Sequence, residues 1–161
     1  MDRNKNIFDK IGSLIPGYRG YSEREGRRNC DKTLREVIVT KLIEAEKILY
    51  EKMDEAFKQK NKEHIRDIEE VRKQLNTFSS KVKFAPYGAT GFFSDNQIKE
   101  DELFNIYEID LDLAKSINEL YERMDTVSLS EIKELLQTSQ KTLSKRNIYI
   151  NEFKGYISCQ N

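Results

Sequence analysis

Apolar residues recur every three or four positions along most of the chain, which is the spacing of one face of an α-helix. The first such run falls in residues 4–15 and is followed by Pro16 and Gly17, which do not continue a helix. Its apolar positions are Ile7, Phe8, Ile11, Leu14 and Ile15. The pattern predicts a short N-terminal amphipathic helix and a turn within residues 1–21.

A much longer apolar run follows. Ser22 and Glu25 have the S-x-x-E spacing of a capping box, so a second helix is expected to start near Glu23, although Gly26 is an unfavourable residue one turn later. The apolar positions of this run are Cys30, Leu34, Val37, Ile38, Leu42, Ala45, Leu49, Met53, Ala56 and Phe57. Three further residues, Val39, Ile43 and Ile48, widen the stripe, so two faces of the helix could be covered.

The charged residues 58–63 separate this run from the next. One helix over residues 23–82 would be about 90 Å long, too long for a compact domain of this size, so a turn is favoured, with Asn61 as its left-handed residue. A third helix then carries Ile65, Ile68, Val71, Leu75, Phe78 and Val82. It must end before Pro86.

Residues 84–99 form the long connection, which contains the aromatic residues Phe84, Tyr87, Phe92 and Phe93. A connection this long and this apolar is expected to be an ordered loop.

Two more helices are expected after this loop, one from about Glu100 to Met124 and one that follows Ser128 and carries apolar positions as far as Ile157, with Gly155 weakening its last turn. Ser128 and Glu131 form a second capping box at the start of the last helix. Residues 108–113 alternate as a strand would, but no other segment alternates to pair with them, so helix is favoured. The short connection at residues 125–127 makes the last two helices an antiparallel hairpin.

The predicted fold is therefore all-α. Residues 1–161 form a single domain, an antiparallel bundle of four main helices with a short N-terminal helix, and the loop 84–99 joins the two hairpins.

Charge and cysteine content limit the kinds of partner and the cellular compartment that the sequence favours. Lys and Arg total 28 and Asp and Glu total 28, so the net charge is zero. This balance argues against nucleic acid as a partner and favours a protein partner or self-association. Cys30 and Cys159 lack metal-ligand spacing, and two unpaired thiols fit the reducing cytoplasm. The chain has no apolar run of the roughly 20 residues that span a bilayer, and residues 1–12 do not resemble a signal peptide.

The sequence contains no motif that predicts catalysis, a cofactor or a metal site. The single histidine, His64, lies in a charged turn, where a solvated side chain is expected. No nucleophile, nucleotide-binding or metal-ligand signature accompanies it. An enzyme is therefore disfavoured.

One polar residue interrupts an otherwise apolar helix face. Asp110 falls between apolar positions of the fourth helix, and a buried carboxylate needs a partner. We expect that partner to be Arg27, Arg28 or Arg35. The arginines near the start of the second helix, Arg24 included, could instead bind an anion, although pairing within the chain is the simpler interpretation.

Two segments could dock a partner. The loop residues Tyr87, Phe92 and Phe93 could act as aromatic anchors, or they could fill the end of the bundle. Phe8 and Ile11 of the N-terminal helix could pack on the bundle, rest on a membrane or enter the groove of another protein.

Three stretches resemble a small family of bacterial helical proteins that has no assigned activity. They are Ile7–Lys10 with Ile15–Tyr21, then Arg27–Arg28 with Asp31–Lys32 and Leu34–Arg35, and lastly Tyr87–Gly88 with Gly91–Phe93 and Tyr107–Asp110. The resemblance spans most of the chain and implies a bacterial cytoplasmic setting. It transfers no catalytic residue.

The leading hypothesis for function is a non-enzymatic interaction module, an adaptor or scaffold subunit of a bacterial cytoplasmic assembly. The alternatives are a peripheral membrane protein anchored by the N-terminal helix, and a binder of small anionic ligands that uses the arginine cluster.

Overall fold

The computed structural model describes residues 3–84, 91–94 and 97–153, and every regular element within them is helical. The α-helices are α1 (Arg3–Leu14), α2 (Arg27–Lys58), α3 (Lys62–Lys83), α4 (Glu100–Arg123) and α5 (Leu129–Glu152). A single 3₁₀ turn, Arg24–Gly26, precedes α2. The all-α class predicted from periodicity is confirmed, and residues 108–113 lie in α4 as helix.

The bundle consists of two hairpins, α2/α3 and α4/α5, as predicted. In addition, α2 packs on α4, α3 packs on α5, and α1 packs on α4. Lys41 Nζ donates to Asn118 Oδ1 at 2.7 Å, and Lys52 Nζ donates to the Asp125 carbonyl at 3.0 Å. Because both residue numbers rise together along these contacts, α2 and α4 run in the same direction. The two hairpins therefore pack so that helices of like direction are neighbours.

Helix α4 lies at the centre of the molecule, between α1, α2 and α5. Its consecutive residues Ile109, Asp110 and Leu111 are all buried, which is possible only for a helix covered on several sides. The largest fully buried side chains of the core are Tyr21, Phe78, Phe92, Ile11, Ile15, Leu34, Ile38, Leu42, Leu49, Ile68, Leu75 and Ile106.

The turn between α2 and α3 is where the charged segment predicted it. Its left-handed residue is Lys60, with φ 57°, rather than Asn61, whose φ is −87°. Asn61 instead caps α3, because its side-chain oxygen accepts the His64 backbone N–H at 3.1 Å. An asparagine directly before a helix stabilises it by accepting this backbone N–H, and the preceding residue then takes the left-handed conformation.

The limits of α2 and α5 lie close to those that the sequence predicts. Helical turns begin at Arg24, next to the expected start at Glu23, as the 3₁₀ turn, and the chain becomes α-helical at Arg27, without a side-chain cap at either start. Arg27 Nε donates to the Tyr21 carbonyl at 2.9 Å and so holds the chain in a tighter turn before α2. The cap of α5 was predicted correctly, since Ser128 Oγ accepts the Glu131 N–H at 3.3 Å. Helix α5 is described as far as Glu152, and the predicted position Ile157 lies outside the described residues.

The described part of the loop 84–99 covers one end of the core. Phe92 and Phe93 are buried, and Arg27 Nη1 donates to the carbonyls of Phe92 at 3.1 Å and Ser94 at 3.3 Å. These two aromatic residues therefore fill the bundle end, the second role considered for them, and offer no surface to a partner. Tyr87 lies outside the described residues.

Candidate functional site

An arginine joins two carboxylates at the end of the bundle where α2 begins and α5 ends. Arg146 Nε of α5 donates to Asp110 Oδ1 of α4 at 2.6 Å, and Arg146 Nη2 donates to Asp31 Oδ1 of α2 at 2.8 Å. The Asp110 side chain is fully buried and that of Arg146 is 3% exposed. Three helices are therefore connected through one guanidinium group.

Two tyrosines complete the coordination of Asp110. The hydroxyls of Tyr18 and Tyr21 donate to Asp110 Oδ2 at 2.7 and 2.6 Å. The Tyr21 hydroxyl also accepts from Arg146 Nη2 at 2.8 Å. Both tyrosines come from the segment between α1 and α2, so this segment is fastened to the core through its side chains.

Asp31 has a second cationic partner, Arg35, one turn further along α2. Arg35 Nε and Nη2 each lie 2.9 Å from Asp31 Oδ2. We name Asp31, Arg35, Asp110 and Arg146, with Tyr18 and Tyr21, the ionic cluster. Its two carboxylates and two guanidinium groups balance in charge. Burial of these charges is tolerable because each is paired and hydrogen-bonded.

The predicted partner of Asp110 is therefore wrong. Arg35 pairs with Asp31, Arg27 binds backbone carbonyls, and Arg28 is exposed with its guanidinium 5.4 Å from the Phe93 ring centre. Arg24 is also exposed and lies in the 3₁₀ turn. The prediction was wrong because the Asp110 side chain faces α5, which supplies Arg146, as well as the start of α2.

A sequence signal for Arg146 was available. The buried positions of α5 are spaced by three or four residues and include Arg146 between Leu143 and Ile150; the full series is Ile132, Leu136, Ser139, Leu143, Arg146 and Ile150. An arginine at a core position of one helix and an aspartate at a core position of its hairpin partner are natural candidates for a buried pair.

The surroundings shift the pKa values of several members of the cluster. Burial, and then the charge of Asp110, raise the pKa of the Tyr18 hydroxyl well above its ordinary value. Burial also raises the pKa of Tyr21 well above that value, against the opposing effect of Arg146. Burial lowers the pKa of Arg146, but the electrostatic interactions with Asp110, Tyr21 and Asp31 outweigh this effect. The net result is a pKa well above the ordinary value of arginine. The guanidinium group therefore stays charged in the core.

Cys30 adjoins the cluster and is shielded from reagents. Its side chain is 1% exposed, and its sulfur accepts the Gly20 N–H at 3.2 Å. Burial raises the pKa of this thiol to about 11. The thiol is accordingly an inert part of the core.

The free energy of unfolding is expected to fall as the pH rises above about 10, the pKa of tyrosine in an unfolded chain. Folded Tyr18 and Tyr21 keep their protons where the unfolded chain has lost them, so the stabilisation present below pH 10 decreases until the folded pKa values are passed. Each tyrosine adds up to about 1.4 kcal/mol per pH unit to this fall. Urea unfolding of wild type and Tyr21→Phe between neutral and alkaline pH measures it. The variant should lose stability less steeply, and identical slopes would contradict the assignment.

A second candidate site lies on the outer surface of α2. Ile43, Tyr50 and Phe57 are 48%, 49% and 58% exposed and follow one another at seven-residue intervals. We name these three residues the outer stripe. Phe57 was predicted to be a core position of α2. That prediction is wrong, because α3 packs on the opposite face of α2 and leaves Phe57 exposed. The apolarity of a second face, noted at Ile43, was the signal for this surface.

The rim of the outer stripe is charged. The Arg72 guanidinium of α3 lies 5.4 Å from the Tyr50 ring centre, and it is paired with Glu46 at 3.0 Å and Glu69 at 2.7 Å. This triad holds α3 beside the stripe and compensates the charge of Arg72. The stripe is thus an apolar line with a polar border, the composition of many binding surfaces.

Other features of the described residues carry less chemistry. Among residues 3–84, 91–94 and 97–153, no group of three or more potential metal ligands comes together. None of the helices in that part of the chain combines the length and the apolarity needed to cross a membrane. His64 is exposed at the start of α3, as expected.

Comparison with known proteins identifies no relative. No family model, curated protein or solved structure matches the chain. The resemblance to a bacterial helical family therefore gains no support from these comparisons, and function must be inferred from the two sites.

Proposed function

We propose that this protein is a non-enzymatic interaction module, an adaptor or scaffold subunit, that binds its partner through the outer stripe of α2. The observation that supports this is the alignment of Ile43, Tyr50 and Phe57, each about half exposed. Single exposed apolar residues are ordinary, whereas three on the same helix face favour a binding surface. The three residues span about 21 Å along the helix.

The spacing of the stripe favours a helical partner. Residues seven apart lie almost above one another on an α-helix, which is the arrangement that accepts the apolar face of a second helix. An aromatic ring at the centre, Tyr50, provides a large contact area at low entropic cost.

The ionic cluster supports the same function in an indirect way. It fixes α2 to α4 and α5 through charges that are already paired within the protein. A binding helix held by its own core loses little freedom on association, which favours affinity.

The other surfaces considered from the sequence have less support. Ile11 is buried, and the Phe8 ring packs against Tyr18 and Tyr107 with centroids 5.6 and 5.8 Å apart. A membrane or a protein groove could engage this face of α1 only after α1 left the core. Binding of an anion by Arg35 would likewise require breaking its pair with Asp31.

The cellular setting of the proposal is a reducing cytoplasm. The free, buried thiol of Cys30 supports it. The bacterial origin rests on the sequence resemblance alone.

Site-specific photo-crosslinking tests the proposal. A photoreactive phenylalanine at position 50 should give a discrete crosslinked product in native lysate, identified by mass spectrometry. The matched control carries the same group at Ile148 of α5, which is 56% exposed but lies outside the stripe. The product should disappear in an Ile43→Ser/Phe57→Ser background that remains folded by circular dichroism. Equal products at positions 50 and 148 would contradict the proposal.

A further inference from the structure

We propose that the partner of the outer stripe is the α2 helix of a second copy of this chain, packed antiparallel about a two-fold axis at Tyr50. This inference rests on the proposed function and adds the identity of the partner. It would make the protein a homodimer whose interface is formed by the outer face of the α2/α3 hairpin.

The stripe is symmetric about its central residue. Ile43 and Phe57 lie seven residues before and after Tyr50. In an antiparallel pair centred on Tyr50, Ile43 of one copy faces Phe57 of the other, and the two Tyr50 rings meet at the axis. Each copy therefore presents the same patch and is complementary to itself, as a two-fold interface requires.

The charges beside the stripe are complementary in this arrangement. Lys47 and Asp54 are exposed on the same flank of the stripe, and neither forms an ion pair among the described residues. A two-fold axis between antiparallel helices brings like flanks together. Lys47 of each copy then lies opposite Asp54 of the other, three residues before and four residues after the axis. Opposite charges at such flanking positions set helix orientation and partner choice.

On the opposite flank the described cation beside Tyr50 is Arg72, which is paired with Glu46 and Glu69 of its own copy. The chain as a whole has 28 positive and 28 negative residues, so two copies experience no net repulsion. Helix α2 ends at Lys58, eight residues after Tyr50, so two antiparallel copies centred on Tyr50 overlap over residues 42–58, about 24 Å.

Sedimentation velocity over about a hundredfold range of protein concentration tests the inference. Wild type should change from monomer to dimer across this range. In Lys47→Glu, a glutamate lies opposite Asp54 at both symmetry-related contacts, which should weaken the dimer about tenfold. In Asp54→Lys, a lysine lies opposite Lys47 at both contacts, and the dimer should be weakened to the same extent. An equimolar mixture of the two variants should recover wild-type association, because both contacts of the mixed dimer are then of opposite charge. Ile43→Ser should abolish the dimer, whereas Ile148→Ser should not.

Two results would overturn the inference: a wild-type monomer at every concentration, or a mixture no tighter than the separate variants. The proposed function is judged separately. If Tyr50 crosslinks to another protein while wild type stays monomeric, the interaction module stands and the second copy is rejected. If position 50 captures neither another protein nor its own chain, both are rejected. Circular dichroism of each variant verifies that it is folded.

Discussion

Replacing Arg146 by methionine is expected to lower the free energy of unfolding by about 3–5 kcal/mol, the usual cost of breaking a buried ion pair from one side. Methionine fits the space but leaves Asp110 fully buried without its cationic partner, and it removes one partner of Asp31. Urea denaturation followed by circular dichroism measures the change. A loss below about 1 kcal/mol would contradict the role assigned to the ionic cluster.

Two further variants identify the cause of this loss. Arg72→Met removes an arginine that also bridges two carboxylates, but its side chain is 21% exposed, so the expected cost is about 1 kcal/mol or less. Asp110→Asn combined with Arg146→Met removes both charges and keeps an acceptor for the tyrosine hydroxyls. The double variant should be less destabilised than the sum of the single ones by about 1–3 kcal/mol. Additive losses would show that the two side chains are not coupled.

Gly20→Ala is expected to destabilise the protein by about 2–5 kcal/mol, the sum of backbone strain and overpacking. Gly20 has φ 80°, which side chains other than glycine rarely adopt. An added Cβ would also collide with the Phe8 ring and lie 2.6 Å from the Tyr107 hydroxyl. That hydroxyl accepts the Tyr21 N–H at 3.0 Å, so the collision would disturb the segment that delivers the tyrosines of the ionic cluster.

The chain offers matched controls in two other glycines. Gly17 has φ 86°, but a Cβ there would meet only Thr33 Cγ2 at 3.5 Å, so Gly17→Ala should cost about 1–2 kcal/mol, the backbone strain alone. Gly12 lies in α1 with nothing within 4 Å, and Gly12→Ala should stabilise the protein by about 0.5–1 kcal/mol. Thermal unfolding of the three variants ranks them. If Gly20→Ala were no worse than Gly17→Ala, the close packing inferred around Gly20 would be wrong.

Helical periodicity predicted most of the fold because local spacing and caps are properties of neighbouring residues. The turn after Lys58, the Ser128 cap and the α4/α5 hairpin all follow from such short-range signals. The first turn before α2 is 3₁₀ rather than α-helical, and there Arg27 reaches back to the Tyr21 carbonyl. A capping-box spacing cannot anticipate that competing contact.

The candidate sites were less predictable from the sequence because they depend on contacts between residues far apart in the chain. Asp110 was recognised as a buried carboxylate from its place in an apolar face, but its partner Arg146 lies 36 residues away. Which arginine pairs with it depends on which helices are neighbours and in what direction they run. The loop aromatic residues Phe92 and Phe93 were recognised as a feature, and only packing decided that they are buried.

The sequence by itself determined five helices, their approximate limits, and the need for a charge partner for Asp110. Only the tertiary structure decided that α5 supplies Arg146, and that Ile43, Tyr50 and Phe57 remain uncovered on α2. The physical reason is that periodicity reports which face of a helix is apolar. It does not report which neighbour covers that face, because covering depends on contacts between residues far apart in the chain.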